Sequence, residues 1–185
     1  MIKETIADAE SRMGKTMEAL QRDLGSVRTG RASPALVDRI IVDYYGTPTP
    51  LNQMAGISVP EARLLVIQPW DRGSITDIEK AIMKSELGIT PSNDGTVIRL
   101  GIPPLTEERR KQLVKVVHST VEEAKVSVRN IRRDSMHQVR ELLTEKMISE
   151  DDERRAEHQL DEITKKYVDE ADKIGKVKEH EVLEV

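Results

Sequence analysis

Cysteine and phenylalanine are absent from this 185-residue chain, and its aromatic residues are Trp70, Tyr44, Tyr45 and Tyr167 alone. Without cysteine, disulfides and thiolate chemistry are excluded, and a reducing compartment is favoured. With so few rings the core has to be aliphatic, and no cofactor pocket or base-stacking platform built from aromatics is expected. No apolar run approaches the roughly 18 residues of a membrane span. The opening MIKETIADAE also lacks the apolar segment of a signal peptide, so the expected location is the cytoplasm.

Catalytic signatures are equally scarce. GSVRTGRA at 25–32 falls short of a phosphate-binding loop, with Arg31 where the lysine belongs and Ala32 where a hydroxyl should reach magnesium. It also follows a helix, whereas such loops follow a strand. His118, His137, His158 and His180 lack metal-ligand spacing, and solvated helix-surface histidines account for them. There is no G-x-S-x-G elbow. The pairs Glu107-Glu108 and Asp151-Asp152 stand at helix starts, where dipole and capping explain them. No enzyme is expected, and no metal or cofactor.

What the chain does contain is three amphipathic helices around a different kind of text. Ile2, Ile6, Ala9, Met13, Met17, Leu20, Leu24 and Val27 recur at three- and four-residue steps, which predicts a helix with one apolar stripe. The pattern stops near Gly30 and Pro34, both poor helix residues. LVDRIIVDYY then reads as a strand and GTPTP as a turn; TPLNQMAGISV, ARLLVIQPW and TVIRLGI read as further strands. SITDIEKAIMKSEL between them is a short helix, with Ser74 as its cap, Asp77 at the capping-box position and Gly88 ending it. Thr106 reopens helical text, running to about Met147 on Leu113, Val117, Val121, Ala124, Val128, Ile131, Val139 and Leu142. A capping box at Ser149 starts the last helix, whose stripe is Ala156, Leu160, Ile163, Tyr167, Ala171 and Ile174, with Gly175 expected to weaken its end.

One-faced helices cannot stand alone in water. The economical arrangement is a three-helix bundle formed by 1–29 and 106–185, with a small β-rich α/β domain, 31–104, inserted between its first two helices. The fold class expected is therefore α+β with two domains. Two short crossings join them, at Thr29–Arg31 and Pro104–Thr106, which predicts a hinge.

The net charge of −4 hides a local reversal. Residues 106–148 hold ten basic against seven acidic side chains, whereas 149–185 hold seven against thirteen. At about 100° per residue, Lys111, Lys115, Lys125, Arg129, Arg133 and Arg140 share one face of the second long helix. Arg132 lies on the shoulder between core and surface, and only Glu122 interrupts the stripe. A helix that merely needed to be soluble would mix its signs in i,i+4 pairs. Segregation over about 45 Å of helix suits a phosphate backbone, which arginine binds bidentately. The rival reading is a helical adaptor that docks an acidic protein.

RTGRASPAL at 28–36, VDYYGTPTPLNQ at 42–53, PPLTEERRKQL at 103–113, VSVRNIRRD at 126–134 and ISEDD at 148–152 resemble, in order and spacing, the motifs of ribosome recycling factors. The resemblance runs over essentially the whole chain. It implies a three-helix bundle with an inserted α/β domain, L-shaped like a transfer RNA. It also implies a non-enzymatic job: binding the post-termination ribosome and splitting its subunits with elongation factor G. GTP is then hydrolysed by that factor and not bound here, and initiation factor 3 keeps the small subunit free. Arg132, Arg129, Arg133, Arg110 and Arg28 are implied as contacts to large-subunit ribosomal RNA, and the insert, with Tyr44 and Tyr45, as the side facing elongation factor G. The hinge maps onto Thr29, Gly30, Arg31, Pro104, Leu105 and Thr106. Neither DNA nor a membrane is an expected partner, and the chain is expected to act as a monomer.

Overall fold

A computed structural model describes residues 1–184. The chain divides into two compact units: Met1–Leu24 with Lys115–Glu179, and Gly25–Val114 with 180–184.

The first unit is built from three helices, α1 (Ile2–Gly25), α3 (Glu107–Thr144) and α4 (Glu150–Leu183). Most positions of their predicted stripes form the core, while Val27 lies past the end of α1 and Ile2, Ile6, Leu142, Ile163, Tyr167 and Ile174 are half-buried. Ala9, Met13, Met17, Leu20 and Leu24 are buried on α1, Val117, Val121, Ala124, Val128, Ile131 and Val139 on α3, and Ala156, Leu160 and Ala171 on α4. Each large aliphatic side chain removed from water there contributes about 1.5–3 kcal/mol. Polar contacts sew the edges: Arg12 to Asp134 at 3.4 Å and Lys166 to Glu10 at 3.5 Å.

The helix starts are fixed as their sequences dictate. Thr106 Oγ1 accepts from Arg109 N at 3.1 Å. At α4 the capping box is reciprocal, with Ser149 N donating to Asp152 Oδ2 at 3.0 Å and Asp152 N to Ser149 Oγ at 3.1 Å. α4 runs on past Gly175 to Leu183. The role of Gly175 is close approach: a Cβ there would stand 2.6 Å from Val121 Cγ2.

The second unit carries the β-structure. A hairpin pairs β1 (Ile41–Tyr44) with β2 (Thr47–Pro50). A four-stranded antiparallel sheet has the order β3-β4-β6-β5, from β3 (Ala55–Glu61), β4 (Leu64–Pro69), β5 (Ser92–Asn93) and β6 (Ile98–Gly101). The helix α2 (Ile75–Lys84) buries Ile75, Ile78 and Ile82 in one core with Val37, Val42, Leu51, Leu65, Ile67, Ile98 and Leu100. That core holds no aromatic at its centre, as the composition requires; Tyr44 only packs against its edge.

Four local readings are corrected. The sequence LVDRIIVDYY begins with a 3-10 turn at Pro34–Val37, because Ser33 accepts from Ala35 N and Pro34 presets a helical φ; the strand is only its last part. GTPTP is not all turn: Thr47–Pro50 is a strand, since an outer hairpin strand needs few N–H donors and tolerates Pro48 and Pro50. TPLNQMAGISV is then broken by a 3-10 turn at Leu51–Gln53 before β3. Ser74 precedes α2 without a side-chain cap bond. Its hydroxyl donates to Asp71 O at 2.6 Å, and Asp71 caps the preceding turn by accepting from Gly73 N at 2.9 Å.

Candidate nucleic-acid interface

The basic stripe of α3 is half neutralised and half open. On the flank packed against α4, Arg132 Nε donates to Asp161 Oδ1 at 2.5 Å, and its Nη2 lies 3.9 Å from Glu157. Lys125 is paired with Asp172, and with Glu122 at 3.6 Å. The Asp172 hydrogen bond, opposed by burial, holds the Lys125 ammonium above its ordinary range. Glu122, the one acid in the stripe, is thus tied to a cation on the same helix. Lys111 meets Glu107 at 3.5 Å within the first turn of α3.

Arg129, Arg133 and Arg140 are exposed on the outer face of α3. Their side chains meet no acid or acceptor among the described residues, and neither does that of Lys115. These are the cations free to take an external anion. Arg132 is half-exposed and oriented by its α4 carboxylates, which leaves Nη1 available. Orientation of this kind lowers the side-chain entropy lost when a further partner is bound.

A groove of about 400 Å³ runs along the other flank of α3. Arg12, Lys15 and Thr16 of α1 line it together with Ser127, Asn130 and Ile131 of α3. Arg12 and Lys15 were missed in the sequence reading. A wheel drawn on α1 would have set them off the apolar stripe, but not opposite Ser127 and Asn130, since that pairing depends on packing.

Arg28 and Arg110 belong to the second unit and not to the stripe. Arg28 Nη2 donates to Pro103 O at 3.0 Å, while the Nε atoms of Arg28 and Arg110 are both buried without a protein partner. Burial, and then the nearby charge of Arg109, lower the Arg28 pKa below the usual guanidinium value. Crowded cations with orphaned donors are a setting that an anion would relieve.

Thr29–Arg31 and Pro104–Thr106, expected from the sequence as crossings, both lie within the second unit, and residues next to them are tied to one turn. Ala32 N donates to Ala62 O and Ile102 N to Arg63 O, each at 2.7 Å. Thr29 is buried, and its Oγ1 accepts from Arg31 N at 3.2 Å and donates to Arg31 O at 3.3 Å. Gly30 would meet nothing within 4 Å if it carried a Cβ, so space does not require glycine there. Pro104 and Thr106 are exposed and Leu105 half-buried.

Tyr44 and Tyr45 converge on one carboxylate. Their hydroxyls donate to Asp71 Oδ2 at 3.0 and 3.2 Å, with ring centroids 4.6 Å apart in an edge-on arrangement. Tyr44 is half-buried, whereas Tyr45 is 73% exposed. Among the described residues no group of three or more His, Cys, Asp or Glu could hold a metal ion. Nor is any helix among them long and apolar enough to cross a membrane.

Comparison with known proteins places this architecture. A sequence model of the family described as ribosome recycling factor matches residues 20–183. The ribosome-recycling factor of Thermomicrobium roseum is 59% identical and that of Syntrophomonas wolfei 58%, each over the full length of both chains. A solution structure of a ribosome recycling factor is similar with a TM-score of 0.79 at 44% identity, covering 100% of this chain and 98% of the other. A second structure, from models of the T. thermophilus ribosome recycling factor and the E. coli elongation factor G bound to the E. coli post-termination complex, gives 0.69 at 44% identity, with both chains fully covered. Full-length identity of this order, on an α+β frame of long helices and a small antiparallel sheet, leaves one assignment: the chain belongs to the ribosome recycling factors, a family of non-enzymatic translation factors.

Proposed function

We propose that this protein binds the post-termination ribosome and, with elongation factor G and GTP, dissociates it into subunits, releasing mRNA and tRNA for a new round of translation. The observation that carries the binding half is the open face of α3. Arg129, Arg133 and Arg140 have no protein partner, and Arg132 beside them is held in place by Asp161. Folded RNA presents the matching surface, and phosphate contacts fix position without needing the aromatic platforms that this chain lacks.

Arg132, Arg129 and Arg133 contact large-subunit ribosomal RNA, and Arg28 and Arg110 add a second cationic group from the other unit. That second unit, with Tyr44 and Tyr45, faces elongation factor G. The crossings at Thr29–Arg31 and Pro104–Thr106 act as the hinge through which the load passes. The protein works in the cytoplasm as a monomer without a cofactor of its own, since GTP is used by elongation factor G, and initiation factor 3 acts on the small subunit it releases.

Subunit splitting, followed by light scattering with and without elongation factor G and GTP, tests the reading. Splitting that needs both, and that disappears with Arg132→Ala while that variant keeps its helical circular dichroism, is the expected result. Binding of large subunits that survives their ribonuclease digestion would instead favour docking to an acidic protein.

A further inference from the structure

Tyr44 and Tyr45 meet edge-on above Asp71, and Trp70 directly precedes that carboxylate in the chain. Tyr45 is 73% exposed and Trp70 is 71% exposed, and Trp70 adjoins Asp71, the carboxylate that holds both tyrosines. Tyr45 also occupies the left-handed region at φ 49°, followed by Gly46 at φ 83°. A two-residue hairpin turn with both φ values positive suits Asn-Gly or Gly-Gly; a bulky residue at its first position is unfavourable. Burial does little to offset that energy, since most of the ring stands in solvent with its edge against Tyr44. Strain of this kind, kept in place by surrounding bonds, is expected where a surface has a task.

Asp71 supplies the restraint. Oδ2 accepts from both tyrosine hydroxyls, and Oδ1 accepts from Gly73 N at 2.9 Å. The Gly73 N–H and then the Tyr44 hydroxyl hold the Asp71 carboxyl below its usual range. A Cβ on Gly73 would come within 3.4 Å of the Tyr45 hydroxyl. The exposed ring is therefore fixed before any partner arrives, which reduces the entropy lost on docking.

The surrounding charge selects the partner class. Asp43 caps the hairpin by accepting from Gly46 N at 2.8 Å, and the Asp71 hydrogen bond first, with the charge of Asp77 last, raises the Tyr45 pKa. With Asp71 these carboxylates outnumber Arg72, the exposed cation next to Asp71 in the chain, so an RNA backbone and base stacking on the exposed rings are disfavoured. Rigid tyrosine and tryptophan anchors are instead the residues enriched at the centres of protein interfaces.

We infer that Tyr45 and Trp70, with Asp71 as the positioning residue, form the anchor that docks into an apolar cleft edged by basic side chains on elongation factor G. This rests on the reading that the second unit faces that factor. It adds Trp70 and Asp71 to the contact and states the chemistry of the opposing surface.

The test uses the full-length protein with Tyr45→Gly, Trp70→Ala and the double variant in ribosome splitting at varied elongation factor G. Glycine suits φ 49° and alanine replaces an exposed side chain, so folding is retained in both. The double variant is expected to need at least about tenfold more elongation factor G for half-maximal splitting, while large-subunit binding stays unchanged. Asp71→Ala, which keeps both rings but frees them, is expected to give a smaller shift in the same direction. Unchanged dependence on elongation factor G in the double variant overturns the anchor. Loss of large-subunit binding overturns it too, because the patch would then touch RNA. If the unaltered protein does not split ribosomes at all, the reading beneath the anchor fails and the anchor falls with it.

Discussion

Arg132 of α3 and Asp161 of α4 are joined by a 2.5 Å hydrogen bond from Nε to Oδ1, so the guanidinium on the shoulder of the basic stripe is aimed by an acid on the neighbouring helix. The pair is solvent-accessible, and exposed pairs of this kind contribute only about 0–1 kcal/mol to stability. Its consequence lies in the geometry and field it gives Arg132. Asp161→Asn retains an acceptor while removing a negative charge next to the proposed RNA face. Large-subunit affinity is expected to rise, with the salt slope steepened by about 0.7–0.9. Arg132→Ala is expected to lower it by about 1.5–3 kcal/mol, the worth of a charge-assisted hydrogen bond. Filter binding at several salt concentrations reads both, and weaker binding by the Asp161 variant would show that orientation outweighs charge.

Gly175 is a packing glycine, and alanine there drives a methyl group into Val121 Cγ2. Valine is stiff about χ1 and sits in the core, so the clash cannot be shed by a rotamer change. Gly175→Ala is expected to cost about 1–3 kcal/mol by overpacking, despite alanine's better helix propensity. Pairing it with Val121→Ala should recover most of the loss. Urea melts of the two single variants and the double variant give the coupling, and additive effects would rule out the contact as the cause.

Asp94 links the turn before β6 to acid stability. Its Oδ1 accepts from Val97 N and Thr96 N, both at 2.9 Å, and Arg99 lies 3.0 Å from Oδ2. Those backbone bonds first, and Arg99 after them, bring its pKa down from 3.8 to about 2. A carboxylate with a depressed folded pKa stabilises the fold above its unfolded value and loses that contribution as pH falls. The window here runs from about pH 4 down to pH 2. Asp94→Asn should lower the Tm at pH 7 and flatten its decline across that window; a parallel decline in both proteins would show the group to be uninvolved.

Gly30 has neither a crowded Cβ position nor a positive φ to explain it, which makes it a probe of the proposed hinge. Gly30→Ala reduces the freedom of the unfolded chain and should stabilise by about 0.4–1 kcal/mol. If the crossings flex during splitting, the same change should slow the splitting rate several-fold and leave large-subunit affinity alone. Stopped-flow light scattering checks this. An unchanged rate in a stabilised protein would show that bending at Gly30 does not limit the reaction.

How far the sequence reached depended on the range of the interaction concerned. The three helices were legible because each stripe repeats over many turns, and α3 and α4 begin at Thr106 and Ser149 because capping is a contact over three residues. The inserted unit was harder to read. β5 has only two residues, and the short turns at Pro34–Val37 and Leu51–Gln53 interrupt strand-like text. At Ser74 a capping pattern was present, but its hydroxyl turns back to donate to Asp71 O and leaves the first turn of α2 uncapped.

The sequence by itself determined which residues are apolar, where the helices start and that one face of α3 is basic, since periodicity and capping are properties of a local stretch. Only tertiary packing decided which of those cations are free. Arg132 and Lys125 meet acids of α4 that lie 29 and 47 positions further along the chain (161 − 132 and 172 − 125), while Arg129 and Arg133 meet none. Packing likewise set Tyr44 and Tyr45 on Asp71 across 27 and 26 positions, and placed Gly175 against Val121. Charge and ring count are carried by composition, but whether a charge is paired or a ring exposed depends on what the fold brings beside it.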